Sequence, residues 1–280
     1  MIAWLYGNVC LILNSKLSTI RRLIIYLSFA FFSLSCGPEP VIPSVLGSYV
    51  PEMFELRGYG QLPYNIYFPK DYDGRKEYPL IFFLHGGGGR GIDNITQLKH
   101  VAPLLASKES QEKYPSILVF PQCPVNDYWA SVDINNNQWT YSEDNRSTAA
   151  GLKAEKLLDY IVDTYQVDKK RVYINGLSMG GFGTYSILSR MPEKVSAAIA
   201  ISGGTNPKNA EQFKNVPLMI FHGENDQVVP VSQSRLLAKK LDSLSAPYEF
   251  TLYPNLGHAI WDKVYEDAGT LEWLFSQKKS

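Results

Sequence analysis

The chain predicts an α/β fold: a doubly wound, mostly parallel sheet with helices on both faces. Three observations predict it. Short apolar or β-branched runs bounded by Gly, Pro or Asn recur between residues 64 and 253, as strands do. Several of these runs are apolar throughout, which suits strands buried on both faces of a parallel sheet. Between them lie segments with apolar residues at helical spacing, and that alternation favours strands joined by crossover helices. A composition of 45% hydrophobic and 19% charged residues over 280 positions supplies one large domain of this kind.

In chain order, strands are expected at residues 64–68, 80–84, 117–120, 172–174, 197–201, 218–221 and 249–253. Helices are expected at 97–106, 149–165, 182–190, 232–244 and 270–277. Within 149–165, Leu152, Leu157, Leu158, Ile161 and Val162 share roughly one face, the pattern of a helix packed on a core. Residues 121–147 interrupt the alternation and read as too polar and irregular for core. Long insertions of this type are usually functional or mobile.

The first 36 residues read as an export signal. Arg21-Arg22 precedes an apolar run over 23–34, which ends in Ser33-Leu34-Ser35-Cys36-Gly37. A charged region, an apolar region and a small residue before cysteine thus come in signal order, and the segment resembles a bacterial lipoprotein signal with a relaxed lipobox. Cys36 is the expected lipidation site, giving a membrane anchor at the periplasmic or cell-surface side. Ser33 departs from the aliphatic residue of that pattern. The apolar stretch 2–13 leaves open an upstream extension or a membrane hairpin, though either run is short of the roughly 20 residues a spanning helix needs. Pro38, Pro40, Pro43 and Pro51 make residues 37–51 a stiff tether, and the folded domain is expected over 52–280.

Charge and cysteine usage exclude some classes. Formal net charge is zero, and the first 36 residues hold Lys16, Arg21 and Arg22 with no acidic residue, so the remainder is slightly acidic and carries no nucleic-acid footprint. With Cys10 lost in the signal and Cys36 acylated, Cys123 stands alone and no disulfide within the chain is expected. In Pro121-Gln122-Cys123-Pro124 it reads as a small buried hydrophobe.

The chemistry concentrates at Gly176-Leu177-Ser178-Met179-Gly180-Gly181, between a β-branched run and a helical stretch. A serine framed by glycines on a strand-to-helix turn is the signature of a nucleophile elbow. The turn brings the positions two before and two after the serine together, so glycine is needed at 176 and 180. It lifts Oγ clear of the sheet and sets a helix N-terminus beneath it.

A serine hydroxyl needs a base, and the base an orienting acid. His258 follows the last expected strand, and Asp226 follows the strand at 218–221. The order serine, acid, histidine is that of the α/β-hydrolases, so Ser178, Asp226 and His258 are the expected catalytic triad. Glu224 and Asp262 are rivals for the acid. His222 is expected to donate a hydrogen bond at its strand end, and His100 to be a surface or satisfied core residue. The oxyanion hole is expected from the N–H of Met179 and from the loop His85-Gly86-Gly87-Gly88-Gly89, with Gly87 or Gly88 as donor and His85 holding the loop. The glycine run lacks the Gly-Lys-Ser/Thr ending of a phosphate loop.

These segments, with Gly91-Ile92-Asp93-Asn94, Pro121-Gln122-Cys123-Pro124, Asp168-Lys169-Lys170-Arg171-Val172-Tyr173, the stretch from Asp226 to Pro230, and Trp273-Leu274-Phe275-Ser276-Gln277, resemble bacterial α/β-hydrolases labelled predicted peptidases. That group is similar to phospholipase/carboxylesterases, dienelactone hydrolases and feruloyl or acetylxylan esterases. The resemblance spans roughly residues 52–280 and implies a serine esterase more than a peptidase. A propeller like that of prolyl oligopeptidases is not expected in this chain. Metals and organic cofactors are not expected either. The partner implied is a small-molecule or carbohydrate-linked ester, with Trp129, Trp139 and Trp261 as candidate pocket walls. The same aromatics would alternatively close the core over a long loop. A serine peptidase, a noncatalytic binding protein and an acyltransferase are the other readings.

Overall fold

A computed structural model describes residues 47–135, 138–142 and 144–279; the expected signal, with Cys36, and most of the expected tether lie outside them. The strands are β1 (Tyr49–Leu56), β2 (Gly60–Tyr67), β3 (Tyr78–Leu84), β4 (Ile117–Pro121), β5 (Val132–Asn135), β6 (Gln138–Tyr141), β7 (Val167–Leu177), β8 (Ala197–Ile201), β9 (Leu218–Gly223) and β10 (Tyr248–Tyr253). The helices are α1 (Val101–Leu105), α2 (Lys108–Lys113), α3 (Ala149–Thr164), α4 (Met179–Arg190), α5 (Ala210–Phe213), α6 (Ser232–Ser243), α7 (Trp261–Glu266) and α8 (Ala268–Ser276). Eight strands form one sheet in the order β1-β2-β4-β3-β7-β8-β9-β10, and β5 and β6 pair as a separate hairpin.

From β4 to β10 the sheet is parallel, and β1 and β2 run antiparallel at one edge. All seven residues of β3 and all five of β8 are buried, so the continuous apolar runs report strands covered on both sides. Side chains alternate between two cores. Leu80, Phe82, Leu84, Val172 and Ile174 face α3 and α4, whereas Ile81, Phe83, Tyr173 and Leu177 face the side of α1, α7 and α8. The central strands β3 and β7 are neighbours, and the chain leaves them toward opposite edges, to β4 and to β8. Their C-terminal ends therefore open a crevice at a topological switch point, where α/β sheets bind ligands.

Three expectations are corrected. The tether was expected to run to residue 51, but Tyr49, Val50 and Pro51 already belong to β1, paired with Tyr67, Ile66 and Asn65. An edge strand tolerates Pro51 because its N–H is not needed by a second neighbour. The helix expected over 97–106 is a 3-10 turn, Thr96–Leu98, followed by the short α1. Pro103 explains the break: in the interior of one long helix it would lack its N–H and clash with the preceding turn, whereas a restart at Val101 puts it in the first turn. The insertion at 121–147 is not wholly outside the core, because Trp129 is fully buried and β5–β6 pairs in regular register.

Candidate active site

Ser178 lies between β7 and α4 with φ 53° and ψ −120°, a backbone conformation that costs energy for a residue with a Cβ and is kept where the surroundings enforce it. Both flanking glycines are required by contact. A Cβ on Gly176 would overlap the carbonyl oxygen of Gly180, and one on Gly180 would overlap the carbonyl oxygen of Leu84 in β3. The first contact is the one the sequence implied; the second shows that the elbow is also pressed against the neighbouring strand. The Ser178 N–H donates to the Ile201 carbonyl at 2.8 Å, tying the turn to β8.

The three side chains singled out from sequence meet in one line. His258 Nε2 lies 2.8 Å from Ser178 Oγ, and His258 Nδ1 lies 2.7 Å from Asp226 Oδ2. Asp226 has no exposed side-chain surface. Burial alone would raise its pKa, but hydrogen bonds from His222, His258 and the N–H groups of Val229 and Val228 outweigh it and hold the carboxyl well below the usual carboxylate range. A carboxylate so placed fixes the Nδ1–H tautomer of His258 and leaves Nε2 free to accept the Ser178 proton. The rivals lie elsewhere: Glu224 pairs with Arg235 at 3.4 Å on the surface, and Asp262 is exposed in the first turn of α7.

His222 does more than the strand-end hydrogen bond expected of it. Its Nε2 sits 2.9 Å from the Val229 carbonyl and 3.2 Å from Asp226 Oδ2, and its Nδ1 sits 2.7 Å from Ser234 Oγ. The two acceptors at Nε2 place a proton there, so His222 donates toward the same carboxylate oxygen that holds His258.

The glycine loop follows β3 as a 3-10 turn over Gly87–Gly89. Met179 is the first residue of α4, so its N–H has no partner within the helix, and Gly87 opens the neighbouring turn in the same way. Gly87 borders the cavities on both sides of Ser178, whereas Gly88 borders one of them, which favours Gly87 as the second donor. His85 holds the loop as expected: its Nε2 accepts from the Cys123 N–H at 2.9 Å and its Nδ1 donates to the Gly86 carbonyl at 2.6 Å. Burial, with Arg90 nearby, lowers its pKa to about 4. Cys123 is fully buried, and burial pushes its thiol pKa far up, so it is a core residue and not a nucleophile.

The tryptophans divide. Trp139 and Trp261 line cavities that open on Ser178. Trp129 does not: it is 1% exposed, its indole N–H donates to the His85 carbonyl at 3.0 Å, and its ring meets the His85 ring edge-on. Gly183 makes the room, since a Cβ there would press on Trp129. Trp129 thus braces the glycine loop through His85 and lines neither cavity. His100 is exposed, as expected of a surface residue, and it also lines the cavity beside Ser178 and contacts Trp261 edge-on.

Sequence reasoning missed some supports. Ser202, fully buried with φ 48°, donates from Oγ to the His258 carbonyl at 3.1 Å. Its one signal was the Ser202-Gly203-Gly204 step after β8. Gln122 bonds Gly89, Asp93 and Asn94 at once, so the Gly91-Ile92-Asp93-Asn94 and Pro121-Gln122 motifs brace the glycine loop. Among the described residues no cluster of His, Cys, Asp and Glu could hold a metal ion, and no helix is long and apolar enough to cross a membrane.

The sheet and the elbow at its crevice define an α/β-hydrolase. The chain belongs to the phospholipase/carboxylesterase family, whose sequence pattern matches residues 72–271. A solved structure of a thermostable esterase superposes with a TM-score of 0.76 at 34% identity, over 82% of this chain and 63% of that one. The bifunctional acetylxylan esterase/xylanase XynS20E of Neocallimastix patriciarum is 33% identical over 36% of this chain, a match to 16% of its own length. The probable feruloyl esterase C of Aspergillus terreus is 24% identical over 82% of this chain and 75% of its own. The match thus spans less than two thirds of the first two of these relatives.

Proposed function

We propose that this chain is a serine carboxylesterase that cleaves a carbohydrate-linked or phenolic ester through an acyl-enzyme. The hydrogen-bonded line Ser178–His258–Asp226, at 2.8 and 2.7 Å, carries the proposal. His258 Nε2 takes the Ser178 proton as Oγ attacks the ester carbonyl, and the oxyanion settles on the N–H groups of Met179 and Gly87. As the tetrahedral intermediate collapses, His258 returns that proton to the leaving alcohol. The same imidazole then deprotonates water, which attacks the acyl-enzyme and releases the acid and the free serine. Asp226 stays ionised throughout and stabilises the imidazolium.

Turnover of short p-nitrophenyl esters tests this. Ser178→Ala should lower kcat/KM by a factor on the order of 10⁴ or more with the melting curve unchanged. Absence of turnover in the wild-type protein would contradict the proposal. We also propose anchoring at Cys36, supported by the Arg21-Arg22, apolar-run and Cys36 order of the sequence. Incorporation of a fatty-acid analogue, lost in Cys36→Ala, is the expected result, and a mature protein that keeps its first 35 residues would contradict it.

A further inference from the structure

Ser178 lies between two cavities, and His258 lines one of them. That cavity, about 500 Å3, is walled by Thr96, Lys99, His100, Leu177, His258 and Trp261. The other, about 440 Å3, is walled by Tyr128, Ala130, Val132, Trp139, Met179 and Phe182. Cleavage at Ser178 decides what each can hold. The carbon of the tetrahedral intermediate carries Ser178 Oγ, the oxyanion, the leaving oxygen and the acyl chain. The oxyanion faces Met179 and Gly87. The leaving oxygen must lie within hydrogen-bond reach of His258 Nε2 to receive its proton, which directs the alcohol toward the cavity that His258 lines. The acyl chain takes the remaining direction, past Met179.

The walls differ to match. Trp139 lies parallel to Phe182, with ring centroids 5.1 Å apart and an interplanar angle of 8°, so the cavity past Met179 has a flat aromatic wall with apolar Ala130 and Val132 beside it. Exposed Asp133 stands at its rim and opposes a negatively charged acyl end. On the other side, polar Thr96, Lys99 and His100 surround Trp261, which touches both His100 and His258 edge-on. This wall offers hydrogen bonds to hydroxyl groups and an apolar ring for stacking. We infer, on the reading of the site as an esterase, that the acyl half of the substrate binds against Trp139 and Phe182. The alcohol half binds against His100 and Trp261. The cavity walled by Trp139 selects uncharged, planar acyl groups, and the one walled by His100 selects a hydroxyl-rich alcohol. Trp139 and His100 are thus specificity-determining residues for opposite halves of one substrate.

The test separates the halves with substrates that share one of them, using the full chain. p-Nitrophenyl acetate and p-nitrophenyl cinnamate differ only in the acyl group; methyl cinnamate and a cinnamoyl glucose ester differ only in the alcohol. Trp139→Ala should lower the cinnamate-to-acetate ratio of kcat/KM by about tenfold, the size of a lost aromatic contact. Ala130→Trp, which fills the same cavity while keeping the stacked pair, should lower it as well, guarding against collapse of the hairpin in Trp139→Ala. His100→Ala should leave that ratio unchanged and shift the glucose-to-methyl ratio instead. If both acyl-side variants leave the acyl ratio unchanged, or His100→Ala shifts it, the division is overturned. Failure of the wild type to hydrolyse any of the four would count against the esterase reading itself.

Discussion

The turn that carries Ser178 and the hairpin that carries Trp139 border the same cavity but are held in different ways. The turn is fixed by main chain: a Cβ at Gly176 or Gly180 would overlap a backbone oxygen, and the Ser178 N–H is bonded to β8. The hairpin is fixed by side chains, through the Trp139–Phe182 stack and a hydrogen bond from Tyr141 to Gln233. On the proposed reading, the nucleophile thus sits on a turn set by main-chain contacts, and acyl selectivity sits on a hairpin set by side-chain contacts. Main-chain contacts in the turn cannot relax without moving two strands, whereas loss of one hairpin contact leaves the others in place.

Four substitutions test this difference. The largest effect is expected at Gly180→Ala, whose methyl overlaps the Leu84 carbonyl; a loss of more than about 4 kcal/mol, or no soluble protein, is expected in urea unfolding. Near-native stability there would show that the turn is not held by backbone contact. Asp226→Asn should lower kcat by about 10³-fold or more, because an amide neither fixes the His258 tautomer nor stabilises the imidazolium. Its KM for p-nitrophenyl acetate should barely move, since Asp226 meets no substrate.

His85 gives a smaller and pH-dependent effect. Burial holds its native pKa at about 4, against about 6.5 in the unfolded chain, so between these values the unfolded chain binds a proton that the native state refuses. Its contribution is complete above pH 6.5 and is lost as pH falls toward 4, by about 3 kcal/mol. Urea midpoints measured at pH 7 and pH 4.5 should show that drop, and His85→Asn should flatten it. The smallest effect is expected at Tyr141→Phe, which removes one hairpin hydrogen bond and should cost less than about 1.5 kcal/mol. A change in p-nitrophenyl acetate turnover as large as that of Asp226→Asn would contradict the independence of the two regions.

The same contrast explains what the sequence could reveal. The elbow, the acid, the base and the glycine loop were legible because each needs particular residue types at fixed spacing beside an apolar strand. β7 is longer than its readable part, 172–174, because Asp168, Lys169, Lys170 and Arg171 conceal its start. The tryptophans were visible, but their roles depend on which face of a loop is covered. For Trp129 the pocket-wall and core readings were both open, and the space left at Gly183 admits it to the core. Ser202 and His222 act through distances to residues 56 and 4 positions away, and no local pattern encodes the first of these.

Ser178 is the proposed nucleophile of an ester-cleaving site. Intact-mass and peptide mass spectrometry after treatment with a fluorophosphonate tests it most directly. One adduct on Ser178 is expected, absent from Ser178→Ala and strongly slowed in His258→Ala. Stoichiometric labelling at another residue, or an unlabelled protein that still turns over esters, would rule out Ser178 as the nucleophile.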